Sequence, residues 1–269
     1  MAITNIGAHT VEKIKAVKSV EVTKVEFIEK PDRPTKKVIG IVSYLPNNNN
    51  YQARQQRLVR LLNQIKLYWP SLPIIIIAQN WRDNSFLPKD LDITVYNYNS
   101  PLGILKARQE LRLKFLATDY EQIIMFDDDA IISTTREAAQ KFLEECDKHP
   151  MGFMFLKGWK KDPLGIYNPA QLNGCVISRW LIYAEPLRDE WNPQEKGIYE
   201  DVVYAHLFHW KYPEYEFEVK GFQCIQWSNS QFKVASTWKS TQSDCLGKTR
   251  RLMAEVQKEC EEWRKSHNK

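Results

Sequence analysis

The chain has 269 residues, 43% of them hydrophobic and 12% aromatic, a composition that builds a core and excludes a disordered protein. Its 38 basic and 33 acidic residues leave a net charge of +5, a mild excess that accommodates a polyanionic partner without requiring one. The longest strongly apolar run, "LPIIIIA" at 72–78, is too short for a membrane helix; the N-terminus lacks an apolar signal core, and the five scattered cysteines contain no C-x-x-C pair. No integral membrane segment, a reducing compartment and a cytoplasmic location are therefore expected, the host cytoplasm if the chain is viral.

Residues 1–37 mix short-range alternation with many charges before "PDRPTKK" breaks any regular element, and they read as an N-terminal extension. From residue 38 the pattern becomes regular. "KVIGIVSYL" is a β-branched run expected to form a buried parallel strand, and the "NNNN" tract at 47–50 a loop. "YQARQQRLVRLLNQIKLYW" spaces Leu58, Leu61, Leu62, Ile65 and Leu67 roughly as a helix does, and Pro70 closes it. "LPIIIIAQN" and "DITVYNYN" follow as strands, "SPLGILKARQELRLKFLATD" as a helix, and "QIIMFDDD" as a fourth strand. "DAIISTTREAAQKFLEE" is expected to continue as a helix, with Ser133, Thr134 and Thr135 available as caps. Past residue 150, "MGFMFLKGW", "AQLNGCVISRW" and "YEFEVKGFQCIQW" read as strands, "GIYEDVVYAHLFHW" as a helix and the charged tail from Gly247 as another. Strand and helix alternate, so an α/β fold is predicted, with later strands joining the same sheet and walling a cleft.

Asp127, Asp128 and Asp129 stand where the fourth strand ends, the end at which such sheets bind ligands. Period-two geometry points Asp127 and Asp129 to one side and Asp128 to the other. Two converging carboxylates with open positions suit Mg2+ or Mn2+ shared with phosphate oxygens; a polar strand terminus or helix cap is the plainer alternative. Glu200 and Asp201 open a later helix, where they complement its dipole or supply a general base. His206 and His209 follow on that helix, and a structural role is the better expectation for both.

The order Gly103, Ala107-Arg108-Gln109, Asp127-x-Asp129, "NGCVISR" and "YEDVVYAH" resembles GT-A glycosyltransferases, most closely the inverting family-2 group, across about residues 38 to 210. The resemblance implies a GT-A, Rossmann-like mixed sheet flanked by helices over residues 38–269. Its nucleotide-sugar half spans about 38–135 and its acceptor half about 136–269. It implies transfer of a hexosyl or pentosyl group from a nucleoside-diphosphate sugar, a UDP-sugar foremost, to an acceptor hydroxyl, with inversion. In that reading the DXD motif (Asp129 with Asp127) holds Mn2+ or Mg2+; Arg108, Asp127, Asp128, Gly103 and Gln79 bind the nucleotide; and Asp201, beside Glu200, takes the acceptor proton. The chain departs from the family where Gln79-Asn80 replaces the Asp that often ends the second strand, where Gln109 replaces Asn, and in lacking Gln-x-x-Arg-Trp. The last departure argues against a processive synthase.

The acceptor half interleaves Lys and Trp in "LKGWKKDPLGIYNP" and "STWKSTQSDCLGKTRR", which suits sugars or nucleic acid. A hydroxymethylated DNA base is one acceptor, as for some viral DNA-modifying enzymes, with Lys157, Lys160 and Lys161 around Trp159 meeting phosphates. A protein or saccharide acceptor is the other. Two further readings stay open: a nucleotidyltransferase or phosphohydrolase, weakened because no Gly-rich loop follows the first strand, and a non-catalytic carbohydrate- or nucleic-acid-binding protein of the same fold.

Overall fold

The computed structural model describes residues 33–161, 167–169, 172–191, 199–226 and 242–267, of which 157–161, 167–169, 226 and 242–246 are described as backbone only. The extension expected at 1–37 therefore lies outside the described residues up to 32, and Arg33–Lys36 lead directly into the first strand.

Four strands, β1 (Lys37–Tyr44), β2 (Ile74–Gln79), β3 (Ile93–Tyr98) and β4 (Gln122–Asp127), run parallel, and β9 (Cys175–Ser178) and β6 (Phe153–Met154) extend the sheet through antiparallel pairings. The order β3-β2-β1-β4-β9-β6 is that of a mixed α/β sheet flanked by helices, as expected. Alternation sorts the core. Val38 and Val42 of β1, Ile75 and Ile77 of β2, and Ile123 and Met125 of β4 face one layer, formed by α2 (Ile104–Leu116), α4 (Arg179–Ala184), α5 (Glu200–Lys211) and α6 (Gln242–His267). Ile39, Ile41, Ile74, Ile76, Ile124 and Phe126 face the other, formed by α1 (Tyr51–Tyr68) and α3 (Arg136–Lys148). Gly40 is required on the first face, because a Cβ there would lie 2.7 Å from Ile123 Cδ1 and 2.9 Å from Leu111 Cδ2. With no side chain at Gly40, α2 packs directly on β1.

The chain leaves β1 through α1 and β2 to β3, then returns past β1 to lay down β4 on its other side. Connections that diverge from neighbouring strands open a crevice at their carboxyl ends, the usual ligand site in such sheets. Here those ends are Tyr44 and Asp127, since Val42 pairs with Asp127. The fold thus places the crevice at the aspartate run.

Several elements differ from the sequence expectation. Ala130–Ile132 is a strand, β5, paired antiparallel with β10 (Cys224–Gln226), and α3 starts only at Arg136, its cap Thr135 accepting from Ala138 N at 3.2 Å. The β-branched pair Ile131-Ile132 and the three hydroxyl residues after it outweigh helical continuation. "MGFMFLKGW" splits into β6 and β7 (Lys157–Lys161), and β7 leaves the main sheet to pair with β8 (Tyr167–Pro169). The strand in "AQLNGCVISRW" is limited to Cys175–Ser178, after which α4 begins. Most of "YEFEVKGFQCIQW" is not strand; Phe217, Val219 and Phe222 anchor that segment in the α1/α3 core. Among the described residues no helix is long and apolar enough to cross a membrane.

Candidate active site

Strand alternation that sends Ile123 and Met125 toward α2 and α5 sends Asp127 there too. On α2 the buried stripe runs Leu105, Arg108, Leu111, Phe115, so a guanidinium occupies a core-facing position. Arg108 is only 4% exposed. A buried charge is tolerated only when paired, and Arg108 is: its Nη2 donates to both Asp127 oxygens at 3.0 and 3.2 Å, and its Nη1 donates to Glu200 Oε1 at 2.5 Å. Glu200 is buried at the start of α5, and Tyr199 before it donates its N–H to Thr249 Oγ1 of α6 at 3.1 Å. Asp201 is half-buried and accepts the Val202 N–H at 2.9 Å.

One guanidinium therefore faces three carboxylates. Burial works against the charge on Arg108, yet Asp127, Glu200 and Asp201 overcome it and hold the group protonated. The acids bear the opposite consequence. Burial pushes Glu200 up to about 7, with the charges of Asp201 and Asp127 adding to it and Arg108 opposing. Asp201 moves the same way, from burial first and then the charge of Asp127, again against Arg108. The site carries more negative charge than its own cation neutralises.

Asp127 and Asp128 part to opposite sides of the sheet. Asp128 turns to the α1 side, where its Oδ2 accepts from Ser43 Oγ at 2.8 Å and from Tyr44 N at 3.0 Å, with Arg54 Nη1 3.6 Å from Oδ1. Its pKa is raised by burial, against the pull of Arg54, Ser43 and Tyr44. Asp129 lies half-buried in the turn before β5. Burial pushes the Cys224 thiol of β10 up to about 12, with the charges of both Asp127 and Asp129 contributing.

Gln79 and Gly103 act at the start of α2. Gln79 is buried at the end of β2 and its Oε1 accepts the Leu102 N–H at 2.8 Å, while Gly103 caps α2 at φ +83°, a left-handed value that suits glycine. Together they fix the entry of the helix that carries Arg108. His206 Nδ1 lies 2.8 Å from Val202 O with its ring against Trp210, and His209 Nδ1 lies 2.6 Å from Glu216 Oε2. Both are structural contacts, as expected. The side chains of Lys157, Trp159, Lys160 and Lys161 lie outside the described residues.

One residue of the site, Asn173, stood in the sequence only as the start of "NGCVISR", with no role assigned to it. Asn173 is 3% exposed; its Oδ1 accepts the Asp127 N–H at 2.6 Å and its Nδ2 donates to Asp127 Oδ2 at 3.3 Å. The signal was the Asn-Gly pair ahead of a β-branched strand, a turn signature.

Could these residues hold Mg2+ or Mn2+? Among the described residues no three His, Cys, Asp or Glu side chains converge as a metal cage. Asp127 is engaged by Arg108 and Asn173, and Asp128 by the end of β1. Mg2+ is commonly held by one or two carboxylates, with phosphate oxygens and water completing its shell. A surplus of negative charge around one such carboxylate fits an ion shared with a diphosphate and does not fit a protein-only site.

No family model matches the chain, and no curated protein matches its sequence. Among solved structures it is similar to TarS of S. aureus, at 12% identity and TM-score 0.48 over 70% of this chain and 36% of that one. It is similar also to residues 1–349 of TarS in complex with UDP-GlcNAc, at 13% identity and TM-score 0.45 over 64% of this chain and 54% of that one. A candidate glucose-1-phosphate thymidylyltransferase from Bacillus anthracis, in complex with a sucrose, matches at 12% identity and TM-score 0.45 over 82% and 95%. The chain thus spans only 36% and 54% of the two TarS structures. At such identities the chemistry of the site rests on this chain's own residues.

Proposed function

We propose that the protein is a glycosyltransferase that moves a sugar from a nucleoside diphosphate, UDP foremost, to an acceptor hydroxyl with inversion. The observation that carries the reading is the single guanidinium of Arg108 among Asp127, Glu200 and Asp201, at the crevice between β1 and β4. Each part has a task in that chemistry. A divalent ion held by Asp129, with Asp127 nearby, would supply charge neutralisation for the departing diphosphate. Arg108, fixed and permanently charged, orients Asp127 and Glu200 and adds positive potential beneath the donor. Gln79 and Gly103 set the entry of α2 beside the nucleotide.

Asp201 is the proposed base. Glu200 is buried and already accepts a charged hydrogen bond, whereas Asp201 is half-buried and accepts only the N–H of Val202 among the bonds described. Its raised pKa brings it closer to the range in which a carboxylate accepts a proton effectively near neutrality. The acceptor we propose to test first is a hydroxymethylated DNA base, supported by the Lys-Trp interleaving at 157–161 and the net charge of +5. Binding to phosphates through these lysines must weaken steeply with salt, because counterions are released. Salt-independent binding of an acceptor would favour a saccharide or protein instead.

The test is a screen of nucleotide sugars with Mn2+, followed by two variants. Asp201→Asn is expected to lower kcat by about a hundredfold or more with donor affinity nearly unchanged, the mark of a group needed only in the transition state. Asp129→Ala is expected to lose metal-dependent donor binding while the fold survives. Absence of turnover with every nucleotide sugar, or full activity of Asp129→Ala in EDTA, would overturn the proposal.

A further inference from the structure

The edge of β4 ends in an unusual way. Strand β9 pairs with β4 only as far as Met125, opposite Cys175, and Gly174 N then donates to Met125 O at 2.7 Å. The next inward N–H on that edge, Asp127 N, has no strand residue opposite it. A side chain takes the place of the backbone: Asn173 Oδ1 accepts it at 2.6 Å. The turn that delivers this side chain is tightly specified. Gly174 has φ +74°, and a Cβ there would lie 2.9 Å from Leu156 Cδ1 and 3.0 Å from Cys224 Cβ. Glycine alone fits both the conformation and the space.

Capping an N–H needs only an acceptor, which Asp or Ser would also provide. The amide of Asn173 does more, because its Nδ2 donates to Asp127 Oδ2 at 3.3 Å. Acceptor and donor on one short planar group hold the backbone and the carboxylate of the same residue. That carboxylate in turn receives Arg108 Nη2 on both oxygens, and Arg108 is bonded to Glu200 at its other terminal nitrogen. Arg108 Nε, buried, has no hydrogen-bond partner among the described residues, so the guanidinium is held from its two ends alone.

We infer that Asn173 is a positioning residue: it fixes the Asp127 carboxylate and, through it, the Arg108 guanidinium beneath the crevice. The inference concerns the geometry of the cluster, and its catalytic consequence rests on the glycosyltransferase reading above. Asn173→Asp separates the two bonds, since it keeps an acceptor for Asp127 N while replacing the donor with a second carboxylate. Asn173→Ala removes both. The direct readout is solvent exchange of the Arg108 guanidinium protons by NMR in the full chain. Both variants are expected to speed that exchange by about tenfold or more, the mark of a loosened local structure. If Asn173→Asp exchanges like the wild type and only Asn173→Ala differs, Asn173 merely caps a strand and the inference is overturned. Should the added charge prevent folding, Asn173→Ser supplies the same contrast, its hydroxyl being able to serve Asp127 N but too short for the carboxylate. A second readout follows turnover, where kcat should fall with little change in donor KM. Wild-type inactivity with every nucleotide sugar would defeat the functional reading, while the exchange measurement would still decide the role of Asn173.

Discussion

The two ends of the central sheet each bury a cation, and they treat it differently. At the amino end Lys37 is buried against Asp147, which also accepts from Thr35 N and Thr35 Oγ1, both at 2.7 Å. Although burial works to raise its pKa, the bonds from Lys37 and Thr35 prevail and hold Asp147 below the usual carboxylate range. At the carboxyl end Arg108 faces Asp127, Glu200 and Asp201, and Glu200 and Asp201 are pushed up. One cation for one acid stabilises a fold. One cation for three leaves a charge deficit that a ligand can answer, so a site of this kind is expected to trade stability for binding.

The contrast is broken most severely by removing Arg108. Arg108→Met leaves buried carboxylates unpaired and should cost about 3–5 kcal/mol at pH 7. The cost should shrink at pH 5, where Glu200 takes up a proton. Urea unfolding at both pH values measures this, and an equal loss at the two would show that the acids do not share the guanidinium.

Glu200→Gln sharpens the sign of the difference. A carboxyl whose folded pKa is raised binds more protons in the native state than in the unfolded one, so stability falls as pH rises from about 4.5 to about 7. The variant should lack that part of the slope, on the order of 2–3 kcal/mol across the window. Asp147 has the opposite sign: its contribution is present above the unfolded carboxylate pKa and is lost as pH falls through its lowered folded value. Lys37→Met should accordingly cost about 1–3 kcal/mol at pH 7, at the lower end because Asp147 is partly solvated. A chemical denaturation series from pH 3 to pH 8 would separate the two ends.

The smallest effect is expected at Asp128. Asp128→Asn retains an acceptor for Ser43 and Tyr44, so about 1 kcal/mol or less of stability should be lost, with nucleotide binding near that of the wild type. A collapse of nucleotide affinity in this variant would return Asp128 to the binding site.

Much of this was legible in the sequence. Period-two and helical spacing gave the four parallel strands and the helices between them, and alternation alone separated Asp128 from Asp127. Arg108 stood out through the motif order that resembles GT-A glycosyltransferases. Other features were not legible because they depend on pairing between distant segments. Ile131 and Ile132 read as helix until β10 supplied a partner, and no local pattern says that Asn173 replaces a missing strand neighbour of Asp127. The pairing of Arg108 with Glu200, 92 positions apart, likewise exists only once α2 and α5 pack on one face.

The central claim is that the charge deficit at the carboxyl end binds a metal and a nucleotide sugar together. Thermal unfolding with a nucleotide-sugar panel, with and without Mn2+, tests it most directly, because a ligand of the native state raises Tm according to its affinity. The account predicts a rise that needs both components, is lost in Asp129→Ala and is kept in Asp201→Asn. A rise that is indifferent to Mn2+ and to Asp129, or no rise with any nucleotide sugar, would contradict it.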